Sequence, residues 1–254
     1  MADDRQKTLA DLVARTAGGD RRAFDTLYET TSARLHALCL SILGDRRPAE
    51  EALERIYVRI WTEARHFSES GLTPAAWLAT LARAEAMERK GRDAEGSAAT
   101  DIPDPEEGPD PVGVLRAAWV QGLGYSRLAA RVGLSQSEVR HVLHEGLERV
   151  SGHAAEDADS LAAAEQALGL RPADATATVR PDLAFWQERL ARFADELTPV
   201  MAPARARQRI RETLGHGMAP LSVDPTEKRP WWRGPLGIAL ALLAAAAGWY
   251  LATR

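Results

Sequence analysis

The sequence predicts an all-helical protein, and three observations predict it. Apolar residues recur at three- and four-residue spacing through nearly every segment. Alanine, leucine, arginine and glutamate dominate, whereas β-branched runs are scarce. The breaks between periodic stretches are few, and they are marked by proline, glycine and acidic residues. Those breaks fall at Arg92–Gly113, Gly152–Ser160 and Gly215–Pro230. They divide the chain into a helical block over 1–92, a linker over 93–112, a small block over 113–151, a third over 158–214, a tether over 215–234 and an apolar terminal segment over 235–252.

Composition sets outer bounds. The 254 residues suit about two ordinary domains in addition to the tail. A net charge of −4 argues against a chain that coats nucleic acid nonspecifically and leaves any DNA contact to local patches. Cys39 is the single cysteine, which excludes an intramolecular disulfide and a Cys-rich zinc site. Its place within "LHALCLSIL" predicts a buried thiol. The charged start "MADDRQKTLADLV" holds no signal-type apolar core, so most of the chain is expected in the cytoplasm.

In the first block, Leu9, Leu12 and Val13 form one apolar stripe. Phe24, Leu27 and Tyr28 begin a second that continues through Leu35, Leu38 and Ile42, closed by Gly44-Asp45. Pro48 opens the next helix, where a missing N–H does no harm, and Leu53, Ile56, Tyr57 and Ile60 line its inner face. Trp77, Leu78 and Leu81 line the last. Periodicity alone gives a helical bundle of unspecified purpose.

The residues say more. "GD" followed by "AFDTLYE", then "LGDRRPAEEALERIYVRIW", Phe67, "AWL" at Ala76-Trp77-Leu78 and Ala82-Arg83 occur in that order across the whole block. In these features it closely resembles region 2 of extracytoplasmic-function sigma factors, small members of the sigma-70 family. The resemblance implies that the Ala49–Trp61 helix grips the clamp of RNA polymerase with an outward face carrying Glu50, Glu51, Glu54, Arg55, Val58 and Arg59. It also implies that the loop His66–Thr73 and the helix after it, with Phe67 and Trp77, open and read a promoter −10 element. Arg83, Arg89, Lys90 and Arg92 would then meet backbone phosphate, as single-strand recognition requires. Four places depart from the family pattern. Glu51, and then Glu54-Arg55, stand where Asp and then Gln-Glu are usual, so Arg55 reverses a charge. Ala84 and Glu88 stand where Asn and Asp are usual.

The second block fits a helix-turn-helix. Tyr125 and Leu128-Ala129 fall on its first helix, Gly133 at the turn, and Val139 and Leu143 on the inner face of its second. Ser135 with Glu138 three residues on forms a capping box. The exposed start of the second helix presents Ser135, Gln136, Ser137, Arg140 and His141 for a major groove. The block resembles sigma region 4, which reads a −35 element, although Val142 and Glu145 replace basic residues usual there. A helical hairpin that merely packs is the competing reading. Nothing nearby completes a metal site around His141 and His144.

In the third block Ala164, Ala167 and Leu168 give a short stripe. Phe185, Trp186, Leu190, Phe193 and Leu197 space themselves along one face of a longer helix ended by Pro199 and Pro203. "ARARQRIRETL" adds a basic amphipathic helix with Ile210 and Leu214 inward. "AAAEQALGL", then W-x-E-R-L and L-x-P-V, then a short helix before an apolar run resemble the cytoplasmic domain of membrane anti-sigma factors of the anti-sigma-K kind. The resemblance implies that those five apolar residues contact the sigma blocks. An ordinary third domain is the alternative.

The uncharged run Pro235–Ala252, at ~1.5 Å per residue, covers most of a ~30 Å hydrocarbon core. Lys228, Arg229 and Arg233 flank it on one side with Trp231 and Trp232, and Trp249 and Tyr250 stand at the other. This predicts a single span of the inner (cytoplasmic) membrane with the N-terminal blocks in the cytoplasm. A buried core helix or a peripheral anchor is the competing reading. Related anti-sigma factors carry an extracytoplasmic domain after the span; here only Thr253 and Arg254 follow. No P-loop, dinucleotide turn, nucleophile elbow or spaced metal cluster occurs, so neither an enzyme nor a cofactor is expected.

The order of blocks predicts a transcription initiation factor fused to its own membrane-anchored inhibitor. Its partners are core polymerase, promoter DNA, the membrane and, within the chain, the inhibitory block. Tethering raises the effective concentration of that inner contact to roughly millimolar. The alternative is a regulatory membrane protein whose sigma blocks no longer start transcription.

Overall fold

Short polar side chains at the breaks fix where each helix begins. Asp20 closes the gap between α1 (Ala2–Ala17) and α2 (Arg21–Leu43): Oδ1 accepts the N–H groups of Arg22 and Ala23 at 2.9 and 3.1 Å. Its Oδ2 takes Nη2 of Arg15 at 2.7 Å, so one carboxylate caps one helix and ties it to the previous one. Gly44 ends α2 in the left-handed region at φ +73°, a conformation that a side chain would strain. Asp45 caps α3 (Arg46–Glu63), which therefore starts two residues before the expected Pro48. A 3-10 turn, Ala64–Glu69, leads to α4 (Pro74–Arg92).

These positions come from a computed structural model that describes residues 2–92, 109–152, 158–171 and 181–216. Every regular element among the described residues is helical. The expected span at 235–252, nearly all of the 215–234 tether and most of the 93–112 linker lie outside the described residues. Among the described residues no helix is long and apolar enough to cross a membrane.

The predicted stripes meet in one core. Leu9, Leu12, Val13, Leu27, Leu38, Ile42, Leu53, Ile56 and Ile60 are all buried; each contributes ~1.5–3 kcal/mol of transfer free energy. Phe24 stands edge-on to Tyr57 and Trp61, with centroids 6.0 and 5.3 Å apart. The Tyr57 hydroxyl is buried but satisfied, 2.6 Å from Oγ1 of Thr31. Cys39 is fully buried, and burial pushes its thiol up to about 12, so it carries no thiolate.

The next helices are α5 (Pro111–Val120), α6 (Tyr125–Val132) and α7 (Gln136–Ser151). α5 begins inside the expected linker because Asp110 accepts the N–H groups of Val112 and Gly113, with Pro111 at the first helical position. The predicted capping box forms: Ser135 Oγ accepts from Glu138 N–H, and the Glu138 carboxylate accepts from Ser135 N–H at 2.8 Å. Gly146 is required by packing, since a Cβ there would sit 2.5 Å from the Pro111 carbonyl oxygen.

Beyond lie α8 (Ala158–Ala167), α9 (Pro181–Ala191) and α10 (Ala204–Thr213). The long helix expected to reach Leu197 is shorter. It tightens into a 3-10 turn at Arg192–Glu196, and Leu197 is already extended. Trp186, Leu190 and Phe193 are buried and Leu197 is partly so, but Phe185 departs from expectation. It is 42% exposed, edge-on to Trp186 and beneath the Arg189 guanidinium. Adjacent positions on a helix point about 100° apart, so Phe185 cannot share the inward direction of Trp186. Trp186 donates Nε1–H to Ser160 Oγ at 3.2 Å, joining α9 to α8. The helices up to Gly215 belong to one compact unit.

Candidate functional site

α10 lies against α3, and its sequence resolves into three stripes at four-residue spacing. Ala206 and Ile210 are buried beneath it. Arg205 and Arg209, on one flank, reach Glu50 and Glu54 of α3; Arg209 Nη1 is 3.1 Å from Glu54 Oε1. Arg207 and Arg211, on the other flank, reach Glu29 and Asp25 of α2 at 2.6 and 2.8 Å. Each acidic pair has the same four-residue spacing, so one short helix matches two rows of carboxylates. Arg205 donates through Nε to Glu50 Oε2 at 2.8 Å and also through Nη2. The Glu50 side chain is only 11% exposed, whereas Arg205 is 63% exposed. Burial pushes the Glu54 carboxyl up, with Arg209 opposing it.

The face expected to point outward for polymerase is therefore occupied within the chain. Glu50 is buried rather than outward. Glu51 pairs with Arg89 of α4 and, at 3.3 Å, with Arg47. Arg55 does not present a reversed charge to a partner. Its Nε lies 3.0 Å from Oε1 of buried Glu85, on α4, without the alignment of a hydrogen bond. Arg59 pairs with Glu63 of its own helix at 3.0 Å, and Val58 is half-buried beside it.

The cations assigned to DNA phosphate are also largely engaged. Arg83 is 7% exposed and donates Nε–H to the Trp119 carbonyl at 3.0 Å and Nη2–H to the Leu168 carbonyl at 2.6 Å. Burial lowers its pKa to about 10. Lys90 donates to the carbonyls of Gln121 and Gly122, and burial lowers its pKa to about 8. Arg89 is engaged by Glu51, and the Arg92 side chain lies outside the described residues. Trp77 is a core residue, 7% exposed, and Phe67 packs edge-on against it at 5.4 Å. Trp77 is thus closed to an unstacked base, whereas Phe67 keeps part of its ring exposed.

On the helix-turn-helix, Gln136, Ser137 and His141 are exposed as expected, while Ser135 is occupied by its cap. Arg140 is exposed but lies over the Tyr125 ring at 4.9 Å, with Nε 3.9 Å from Glu165 of α8. Tyr125 donates its hydroxyl to that same carboxylate at 2.6 Å. A single acid on α8 thus holds one residue from each helix of the motif.

Three further contacts bring α9 and the 3-10 turn after it onto the first two blocks. Thr73, just before α4, gives both its N–H and its Oγ1–H to the Glu188 carboxylate at 2.9–3.1 Å. Arg34 pairs with Asp195, and Arg116 of α5 reaches Glu196 at 2.8 Å.

Residues 27–94 match Sigma-70 region 2. The chain is 35% identical over 81 residues to the ECF RNA polymerase sigma factor SigK of Mycobacterium bovis (strain BCG / Pasteur 1173P2), which covers 32% of this chain and 43% of that protein. It is 32% identical over 93 residues to the SigK of Mycobacterium ulcerans (strain Agy99), covering 37% and 50%. The chain thus spans half or less of the length of these curated relatives. Region 2 here begins within α2 and takes in α3, the 3-10 turn and α4. Its acidic residues Glu29, Glu50 and Glu54 are met by arginines from α10, outside the match. Sequence reasoning placed a basic helix at 204–214 and expected the 158–214 helices to cover the polymerase-binding faces, but it gave the contact to the apolar residues from Phe185 to Leu197 and did not pair α10 with its carboxylates. The signal was available as two acidic pairs, Asp25/Glu29 and Glu50/Glu54, at the same spacing as Arg207/Arg211 and Arg205/Arg209.

Proposed function

We propose that the chain is an RNA polymerase sigma factor of the extracytoplasmic-function type whose C-terminal helices act as its own inhibitor, held at the inner membrane by the 235–252 segment. The observation that carries this reading is the arginine-lined α10 seated on the acidic face of α2 and α3, three of whose four carboxylates, Glu29, Glu50 and Glu54, lie within the region 2 match. In this reading core polymerase competes with α10 for Glu50 and Glu54, and promoter DNA competes with α8 for Arg140. The relatives named above supply the transcriptional part: they are described as ECF RNA polymerase sigma factors.

A second reading has its own support. Arg83, Arg89 and Lys90, which the family resemblance would aim at phosphate, are bonded within the chain. This favours a membrane-bound regulator whose sigma blocks no longer start transcription.

Run-off transcription with core polymerase separates the two, comparing the full chain in lipid nanodiscs with its Arg205→Glu/Arg209→Glu variant over a promoter library. Transcripts that rise in the variant support self-inhibition of a working sigma factor. Equal transcripts from both remove the self-inhibition, and silence from both favours the regulator.

A further inference from the structure

α10 carries two kinds of surface. Ala206 and Ile210 form a narrow apolar stripe, buried in the docked helix, and Leu214 at the C-terminal cap extends it. With 3.6 residues per turn, Arg205 and Arg209 stand about 100° to one side of that stripe and Arg207 and Arg211 about 100° to the other. Gln208 and Glu212 face away from it, exposed and bonded to each other at 2.9 Å. Four arginines against one glutamate give the helix three net positive charges. While α10 is docked, each arginine meets a carboxylate of α2 or α3. When it leaves, the four guanidinium groups lose those partners together.

An apolar stripe edged on both sides by arginine suits a helix lying in a bilayer interface, with the stripe at the acyl boundary and the guanidinium groups among the headgroups. The phosphate rows of a duplex leave the stripe unused, whereas an anionic leaflet engages both parts. Position in the chain points the same way. Only the 215–234 stretch separates α10 from the apolar run at 235–252, and a chain of that length reaches at most about 70 Å. We propose that α10 has a second docking partner, the anionic headgroup surface of the bilayer, and that it exchanges the carboxylates of α2 and α3 for lipid phosphate there. The proposal rests on the membrane-anchored reading above. A basic residue at an anionic leaflet gains about fivefold in binding. An exposed ion pair such as Arg209–Glu54 gains about that or less. The two partners are therefore closely matched, and leaflet charge sets the balance between them. The stripe is too narrow to hold the helix on lipid without help from charge, which keeps the exchange reversible. Passage of α10 to the leaflet bares Glu50 and Glu54, so a rise in anionic lipid frees the region 2 face.

The test uses the full chain in nanodiscs, without polymerase, with spin labels at Arg46→Cys on α3 and Gln208→Cys on α10. Cys39 is buried and stays unlabelled. Glu50→Gln is added to weaken docking without altering α10, so that both populations are read. Pulsed electron resonance gives the separation of the labels, short when α10 is docked and longer when it has left. Replacing pure phosphatidylcholine discs by discs with about one phosphatidylglycerol in three lipids should raise the ratio of long to short distances about tenfold or more. Among the described residues the Glu212 carboxylate bonds only Gln208 of its own helix, so Glu212→Gln adds one net charge and leaves the contacts with α2 and α3 intact. It should raise the ratio about fivefold further over phosphatidylglycerol and leave it unchanged over phosphatidylcholine. The same ratio in both lipids overturns the proposal, as does a Glu212→Gln effect of equal size in both. Duplex DNA that lengthens the separation over phosphatidylcholine, where phosphatidylglycerol does not, gives α10 to nucleic acid and overturns it too. A chain that enters discs of neither composition removes the membrane anchor and the proposal with it; a chain that enters both with an unchanged ratio removes the proposal alone.

Discussion

Replacing Arg205 by alanine tests the α10 clasp at its strongest point. Glu50 is the least exposed of the four carboxylates under α10, and Arg205 donates to it twice. Removing the guanidinium leaves a mostly buried carboxylate without that partner; a hydrogen bond to a charged group in such a place is worth ~1.5–3 kcal/mol. The neighbouring pairs are more exposed, as with Arg209 at 55% beside Glu54, and each contributes ~0.2–1 kcal/mol. Arg205→Ala should therefore weaken docking of α10 by about 2 kcal/mol, roughly thirtyfold, and Arg209→Ala only about twofold. Hydrogen exchange of the α10 amides reads this directly, because an isolated helix of ten residues is marginal in water and frays once undocked. Raising salt from about 0.15 to 1 M, which shortens the Debye length from ~8 to ~3 Å, should speed exchange in the parent chain. Protection of α10 that is unchanged in Arg205→Ala, or insensitive to salt, would refute an electrostatic clasp and leave Ala206 and Ile210 as its whole basis.

Three other outcomes are expected. Arg83→Met keeps the apolar stem but leaves the carbonyls of Trp119 and Leu168 without their donor; it should destabilise the chain by ~2–4 kcal/mol in denaturant unfolding, and a neutral result would contradict the buried role. Lys90 has a folded pKa of about 8, below its ordinary value of 10.5. Between those values the unfolded chain binds the extra proton, so stability from this group rises with pH across that window. The stability difference between the parent and Lys90→Met should therefore shift in the parent's favour from pH 8 to 10, and a flat difference would sink the assignment. Ser135→Ala removes the cap of α7 and should lower thermal stability by ~0.5–2 kcal/mol, checked by calorimetry.

How far the sequence could be read depends on which question is asked of a residue. The apolar stripes were legible because burial of Leu27, Ile56 or Leu143 follows from period alone. Caps at Gly44 and Ser135 were legible because their chemistry is local. Arg83 was not, since a basic residue near a presumed DNA face reads as exposed. Yet it stands four residues after Ala79 and three before Ala86, both buried, which places it on the inward arc of α4. Arg55 and Arg89 belong to the same class: their partners, Glu85 and Glu51, sit on a neighbouring helix some thirty or more residues away, and no local pattern couples them. Trp186 and Phe185 show the limit of a face drawn from spacing, because a run of two aromatics cannot both point one way.

The Thr73–Glu188 contact has a consequence for the segment before α4. Thr73 Oγ1 accepts the Ala76 N–H at 3.4 Å, so it works as the cap of α4, and it is itself held by a carboxylate from α9. That places a negative charge at the positive end of the α4 dipole. The end of the stretch from His66 to Thr73 is thus tied to a residue 115 positions further along the chain. Departure of α9 would do two things at once: bare the surface beneath it, and leave the Thr73 cap without the carboxylate that holds it.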